Sequence, residues 1–206
     1  MRVDVAQGAS GETGFWNEGY WGMDINKAVL YTASFYLRGE YTGQIRGAFW
    51  SNTTNSQLGK TVFNVSQTES QGWVKYEQTF RPCTSALDEK NTFHLTFDGG
   101  ATAGRSLRFQ MISVMPQTYK NSNSKLRTDM AQALADMKGT FLRFPGGNNL
   151  EGQSSPYLWK WNETIGPLID RPGRPGTWGY YNTDGFGLLE MMQVRRISWT
   201  RTKGGR

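Results

Sequence analysis

The 206-residue sequence predicts a mixed β and α/β protein: a β-sandwich over residues 1–118, then part of a parallel α/β fold over 119–193. Three observations carry this. The first half shows only period-two apolar alternation. Near residue 120 the period becomes helical. A short apolar run then stops at Phe144, before the polar turn PGGNNLEG.

In YTASFYLRG, Tyr31, Ala33, Phe35 and Leu37 share one face, and Thr32, Ser34, Tyr36 and Arg38 the other. WVKYEQTF groups Val74, Tyr76 and Phe80. NTFHLTFDGG alternates Phe93, Leu95 and Phe97 with His94, Thr96 and Asp98, so His94 reads as the outward residue of a strand. SLRFQMISV groups Leu107, Phe109 and Met111. Gly, Asn and Ser clusters between these runs supply turns, the pattern of a sandwich. The lone cysteine, Cys83, excludes an internal disulfide and reads as a small buried apolar residue. One His and one Cys far apart make a zinc site or thiol catalytic pair a poor fit.

In NSNSKLRTDMAQALADMKGT, Leu126, Met130, Leu134 and Met137 mark one helical face. Ser or Asn residues precede it as caps, and Gly139 stands at the expected C′ position. TFLRF reads as a short buried strand. In parallel α/β folds, ligand groups sit just past the carboxyl ends of strands, which makes Asn148, Asn149 and Glu151 a candidate site. A turn alone needs one Gly or Asn, although a turn with a capping glutamate remains the plainer alternative. From 156 to 190 the chain reads as loop, with Trp159, Trp161, Trp178, Tyr180 and Tyr181 among Gly, Pro, Asn and Arg. GFGLLEMM opens a further helix.

The net charge of +6 first suggests a nucleic-acid partner. Residues 194–206 hold five of the 23 basic residues and no acid; without them the balance is 18 against 17. The body is nearly neutral, so a nucleic-acid partner is not expected. No run of about 18 apolar residues exists, so no membrane span is expected. Residues 1–20 lack the basic start and apolar centre of a signal peptide. Neither a phosphate loop nor a G-x-S-x-G elbow is present. Asn52, Asn64 and Asn162 each head an N-x-[ST] sequon.

Amides, a carboxylate and indole faces together suit carbohydrate: Asn and Glu match sugar hydroxyls, and indoles pack on the apolar faces of sugar rings. FLRFPGGNNLEG, KWNETIGPLIDRPGRPGTWGYYNTDGFGLLE and the upstream GFWNEGYWGM resemble the fungal α-L-arabinofuranosidases of glycoside hydrolase family 51, from about residue 10 to 192. That resemblance implies a (β/α)₈ barrel with accessory sandwich domains, of which this chain would hold one or two barrel strands. It also implies retaining hydrolysis of terminal arabinofuranose from arabinan or arabinoxylan, using two glutamates and no cofactor or metal. Those two glutamates normally lie further along, so none is assigned here and the chain is expected to be an inactive fragment. By resemblance Gly147, Asn148, Asn149, Glu151 and Trp161 contribute to the sugar subsite, and the setting is extracellular. The tail 194–206 falls outside the resemblance. Its Val-Arg-Arg start can be encoded by an intron-like GTAAGA, a hypothesis that a transcript spanning those codons would sink. The alternative function is a non-catalytic carbohydrate-binding sandwich using Trp16, Tyr20 and Trp21.

Overall fold

The computed structural model describes residues 1–121, 126–139, 141–151 and 155–198. The chain forms two compact units, Met1–Gln117 and Thr118–Arg206. The first contains β1 (Arg2–Asp4), β2 (Glu12–Asn17), β3 (Tyr31–Arg38), β4 (Tyr41–Ser51), β5 (Ser56–Gln67), β6 (Val74–Phe80), β7 (Asn91–Asp98) and β8 (Ser106–Pro116). They build two four-stranded sheets, ordered β1-β8-β3-β6 and β2-β7-β4-β5. Every pairing is antiparallel.

Strand alternation explains the core. Tyr31, Ala33, Phe35 and Leu37 are buried along β3, as are Phe93, Leu95 and Phe97 along β7. Both sheets feed one apolar cluster. Phe35 meets Phe63 edge-on at 4.8 Å, and Phe97 stacks on Phe109 at 6.1 Å. Such ring pairs each add about 0.5–1.5 kcal/mol beyond their burial.

Two sequence expectations fail here. Leu107 and Phe109 are buried, but Met111 does not continue their face. The β3–β8 register slips between Ser34↔Ser113 and Tyr36↔Gln110, and Met111 has a φ of 52°. This extra residue is a β-bulge, and it reverses the parity of the strand. Val114 packs on the core in its place, while Ile112 is exposed. Cys83 is exposed rather than buried. Its neighbour Pro82 takes the inner position, where its Cα would lie 2.7 Å from any Cβ added at Gly59.

The second unit contains α1 (Thr128–Asp136), α2 (Gly147–Glu151), the two-residue strands β9 (Arg174–Pro175) and β10 (Tyr181–Asn182), and α3 (Leu188–Ser198). Helices α1 and α3 pack together. The helical period located α1 correctly but not its buried face. Met130, Leu134 and Met137 are exposed, and Ala131 is the buried residue. Its N-cap is Arg127, not a Ser or Asn; Asp129 bonds the Met130 N–H at 2.9 Å and pairs with Arg127. The left-handed residue after α1 is Lys138 (φ 49°), one position before Gly139.

Residues 141–144 form no strand, and Phe141 is exposed. A strand exists only through a ladder with a neighbour, and no described segment pairs with this one. Helix α3 runs through the expected break at residue 194 with Val194 buried. Residues 199–206 of the expected tail lie outside the described residues. No described helix is long and apolar enough to cross a membrane.

Candidate functional site

In the second unit the PGGNN turn becomes the one-turn helix α2. Gly146 and Gly147 have φ values of 73° and 47°, a backbone that side chains resist, so glycine permits the sharp entry. Three contacts tie this turn to the aromatic loops. The Phe144 ring meets Trp159 edge-on at 5.6 Å. The Trp159 N–H bonds the Leu150 carbonyl at 3.3 Å. The Thr177 hydroxyl bonds the Asn148 carbonyl at 3.1 Å.

Gly147 and Asn148 are therefore exposed on a turn held from two sides. The side chains of Asn149 and Glu151 lie outside the described residues. Trp161 is half-exposed, two residues from the Trp159 anchor, and opens a 3₁₀ turn to Thr164. Trp178, Tyr180 and Tyr181 are exposed on the loop that carries Thr177. The arrangement presents amides and aromatic faces together, which suits a neutral polyhydroxylated ligand. Among the described residues no three His, Cys, Asp or Glu side chains gather as metal ligands.

Two buried arginines hold these loops. Arg171, with a side chain only 3% exposed, makes a bidentate pair with Glu190 at 2.8 and 3.2 Å. The same guanidinium bonds the carbonyls of Gly166 and Asp184. Arg174 lies 3.4 Å from the Asp184 carboxylate. The Thr164 hydroxyl donates to the Trp161 carbonyl and accepts the Leu188 N–H, so the Trp161 turn is joined to the start of α3. A Cβ at Gly187 would lie 2.1 Å from the Thr164 carbonyl, so only glycine fits that joint.

These charges set the carboxyl chemistry. Burial alone would raise Glu190, but bonds from Arg171 and the Gly187 N–H hold it below the usual carboxylate range. Asp184 moves the other way, because its burial outweighs the nearby arginines. Sequence reasoning missed Arg171 and Arg174 as anchors. No local signal marked them: Asp170 stands directly before Arg171, yet Arg171 pairs with Glu190, a choice made only in three dimensions.

The three sequons differ in setting. Asn52 and Asn64 are exposed in the first unit. Asn162 is exposed too, but Thr164 of its sequon is fully buried with its hydroxyl committed.

Residues 133–199 match the model of the α-L-arabinofuranosidase 1 domain, a span that runs past Gln193. A probable α-L-arabinofuranosidase A of Aspergillus flavus is 46% identical over 92% of this chain and 30% of its own. An α-L-arabinofuranosidase A of Aspergillus kawachii is also 46% identical, with the same coverage. The solved structure of an arabinose-bound family 51 α-L-arabinofuranosidase superposes over 96% of this chain and 32% of its own, with a TM-score of 0.83 and 41% identity. The class these matches define is the glycoside hydrolases. Over nine-tenths of its length the chain matches the α-L-arabinofuranosidases of family 51, and it spans about 30% of the length of those curated relatives.

Proposed function

We propose that this chain is the sandwich and part of the barrel of an enzyme that removes terminal α-L-arabinofuranosyl groups from arabinan or arabinoxylan with retention. In this reading residues 1–118 are an accessory β-sandwich, and residues 119–193 supply part of a (β/α)₈ barrel. Gly147, Asn148, Asn149, Glu151 and Trp161 line the pocket for the terminal sugar. Asn amides address hydroxyls, and the Trp161 indole packs on the furanose face. The acid/base and nucleophile, two carboxyl groups roughly 5 Å apart in a retaining enzyme, come from outside residues 1–206.

The observation that carries this division of labour is Glu190. A general acid needs a raised pKa and a free proton path. Glu190 is instead held ionised against Arg171. Glu163 is likewise paired, with Lys160 at 3.0 Å. Asp184, which burial raises, lies 3.4 Å from Arg174, so Glu163, Asp184 and Glu190 are each set against a basic side chain of the same loops, an arrangement that supports a scaffolding role. The exposed sequons at Asn52 and Asn64 support an extracellular setting.

Hydrolysis of an aryl α-L-arabinofuranoside tests the proposal. The 206-residue chain is expected to give no turnover, whereas a chain extended to the length of its relatives does. In that longer chain Trp161→Ala is expected to raise KM about tenfold or more. Turnover by the 206-residue chain that Glu190→Gln abolishes would overturn the assignment.

A further inference from the structure

The first unit carries aromatic residues that its core does not use. On the outer face of β2-β7-β4, Trp16 stands opposite His94, and Trp50 lies on the diagonal. Trp16 and His94 are nearly parallel, 26° apart with centroids at 6.4 Å. Trp50 lies 6.1 Å from the same imidazole. His94 Nε2 is 2.8 Å from the Thr92 hydroxyl, and burial holds its pKa below the usual histidine range; further along the same outward register, Arg46 pairs with Glu12 at 3.2 Å. Gly14 and Ala48 leave low ground beside the rings, on the same outward register. Single exposed rings are ordinary on a protein surface. Here the exposed Trp16 is joined by the half-buried Trp50 and His94, three rings clustered on one sheet face.

A cleft of about 640 Å³ opens where the strip ends, lined by Glu18, Tyr20, Trp21, Asn52, Glu89 and Lys90 among others. Trp16 is two residues from Glu18, and Trp50 two from Asn52. The Tyr20 and Trp21 rings meet edge-on at 5.7 Å and are both largely exposed. Trp21 has a φ of 146°, a backbone that a side-chain-bearing residue rarely adopts. The loop is nonetheless fixed. The Met23 N–H bonds the Glu89 carbonyl at 2.8 Å, and Asn91 Nδ2 bonds the Met23 carbonyl at 2.7 Å. Gly22 packs so close that a Cβ would lie 2.3 Å from the Glu89 carbonyl. The rings are thus presented on a built surface rather than a loose loop.

We propose that this strip and cleft form a second carbohydrate site, which holds a neutral polysaccharide chain and not the terminal arabinofuranose. Aromatic faces match the apolar faces of successive sugar rings. The cleft's amide, carboxylates and ammonium address hydroxyls, and their mixed signs oppose a polyanion. The choice of arabinoxylan or arabinan as the chain rests on the proposed function; the stacking chemistry does not.

Affinity electrophoresis of the full 206-residue chain in gels holding arabinoxylan, debranched arabinan or dextran tests this. The protein is made without N-glycosylation, because Asn52 lines the cleft. Retardation in one of the plant polysaccharides is expected. Trp16→Ala and Trp50→Ala are each expected to weaken it about tenfold, with near-ultraviolet circular dichroism confirming an intact fold. Trp161→Ala is the control that separates the two sites. Retardation lost on Trp161→Ala but kept in both strand variants would overturn this proposal while supporting the terminal-sugar pocket. Absence of retardation in any gel would overturn it too, and would leave the hydrolysis test standing. Protection of Trp16 and Trp50 from N-bromosuccinimide in the extended chain without polysaccharide would show a covered seam, and also overturn it.

Discussion

Phe35 and Arg171 sit at the centres of two differently built units. Around Phe35, strands far apart in sequence deliver rings to a common interior, and the sheets satisfy their own backbone. Around Arg171, loops are held by one guanidinium that bonds Glu190 and two carbonyls, with few buried apolar side chains nearby. The contrast is one of material. Apolar burial needs many residues and tolerates no polar gap. A buried charge fixes loops with few residues, but leaves each dependent on its partner. Loops that present exposed aromatics to a ligand cannot hide them in a core, so polar anchors are the available means.

The largest expected effect tests the first half of that contrast. Phe35→Ala removes a fully buried ring that touches Phe63, Tyr76 and Phe109. A cost of about 3–5 kcal/mol is expected, read by urea unfolding with intrinsic fluorescence. Residues 1–117 alone are expected to unfold cooperatively, and hydrogen exchange in the whole chain to be slowest in β3, β4 and β7. Uniform exchange across both units would remove the contrast.

Glu190→Gln comes next. It leaves Arg171 buried without its charge partner, and about 2–3 kcal/mol is expected, slightly below the range for fully buried pairs because Glu190 is 17% exposed. The loss should appear as faster exchange at 161–190 while β3 and β7 are unchanged. Its pH dependence has a definite sign. Glu190 is depressed in the fold, so its contribution is present above its ordinary value of 4.5 and is lost as pH falls below it. Asp184, raised by burial, contributes in the opposite sense: its share is present at low pH and lost as pH rises. The difference between wild type and Glu190→Gln should therefore shrink on acidification from pH 6 to about pH 3. A constant difference would mean that Glu190 acts by shape rather than charge.

What the sequence disclosed follows the same division. Alternation in YTASFYLRG and NTFHLTFDGG is a local pattern with a global cause, so the buried faces of β3 and β7 were readable. The bulge at Met111 was not, because an inserted residue changes parity without changing composition. The period of α1 was readable, but its packing face depends on α3, which lies some 60 residues away. The turn from Pro145 to Asn149 was visible through its two glycines. Its supports, Trp159 and Thr177, were not, nor was the Arg171–Glu190 joint of the neighbouring loops, since each acts through a contact made only in three dimensions. Trp50 was hidden within GQIRGAFW, where only the β4–β7 register sets it beside His94.

The smallest expected effect is the sharpest check on the comparison. Lys75 and Glu77 on β6 lie 2.6 Å apart, closer than Arg171 and Glu190, yet both are about half exposed. If separation governed strength, Lys75→Ala would cost more than Glu190→Gln. In water, however, each charge keeps its hydration after the partner is lost, and holding two long side chains together costs entropy. The expected loss is at most about 0.5 kcal/mol, and 0.5 M salt should remove most of it. Salt should leave the Arg171–Glu190 difference nearly intact, because ions do not enter that joint. Equal costs for the two substitutions, or equal salt sensitivity, would mean that the second unit is as open to water as the outer face of β6. The polar anchors could not then be what holds its loops.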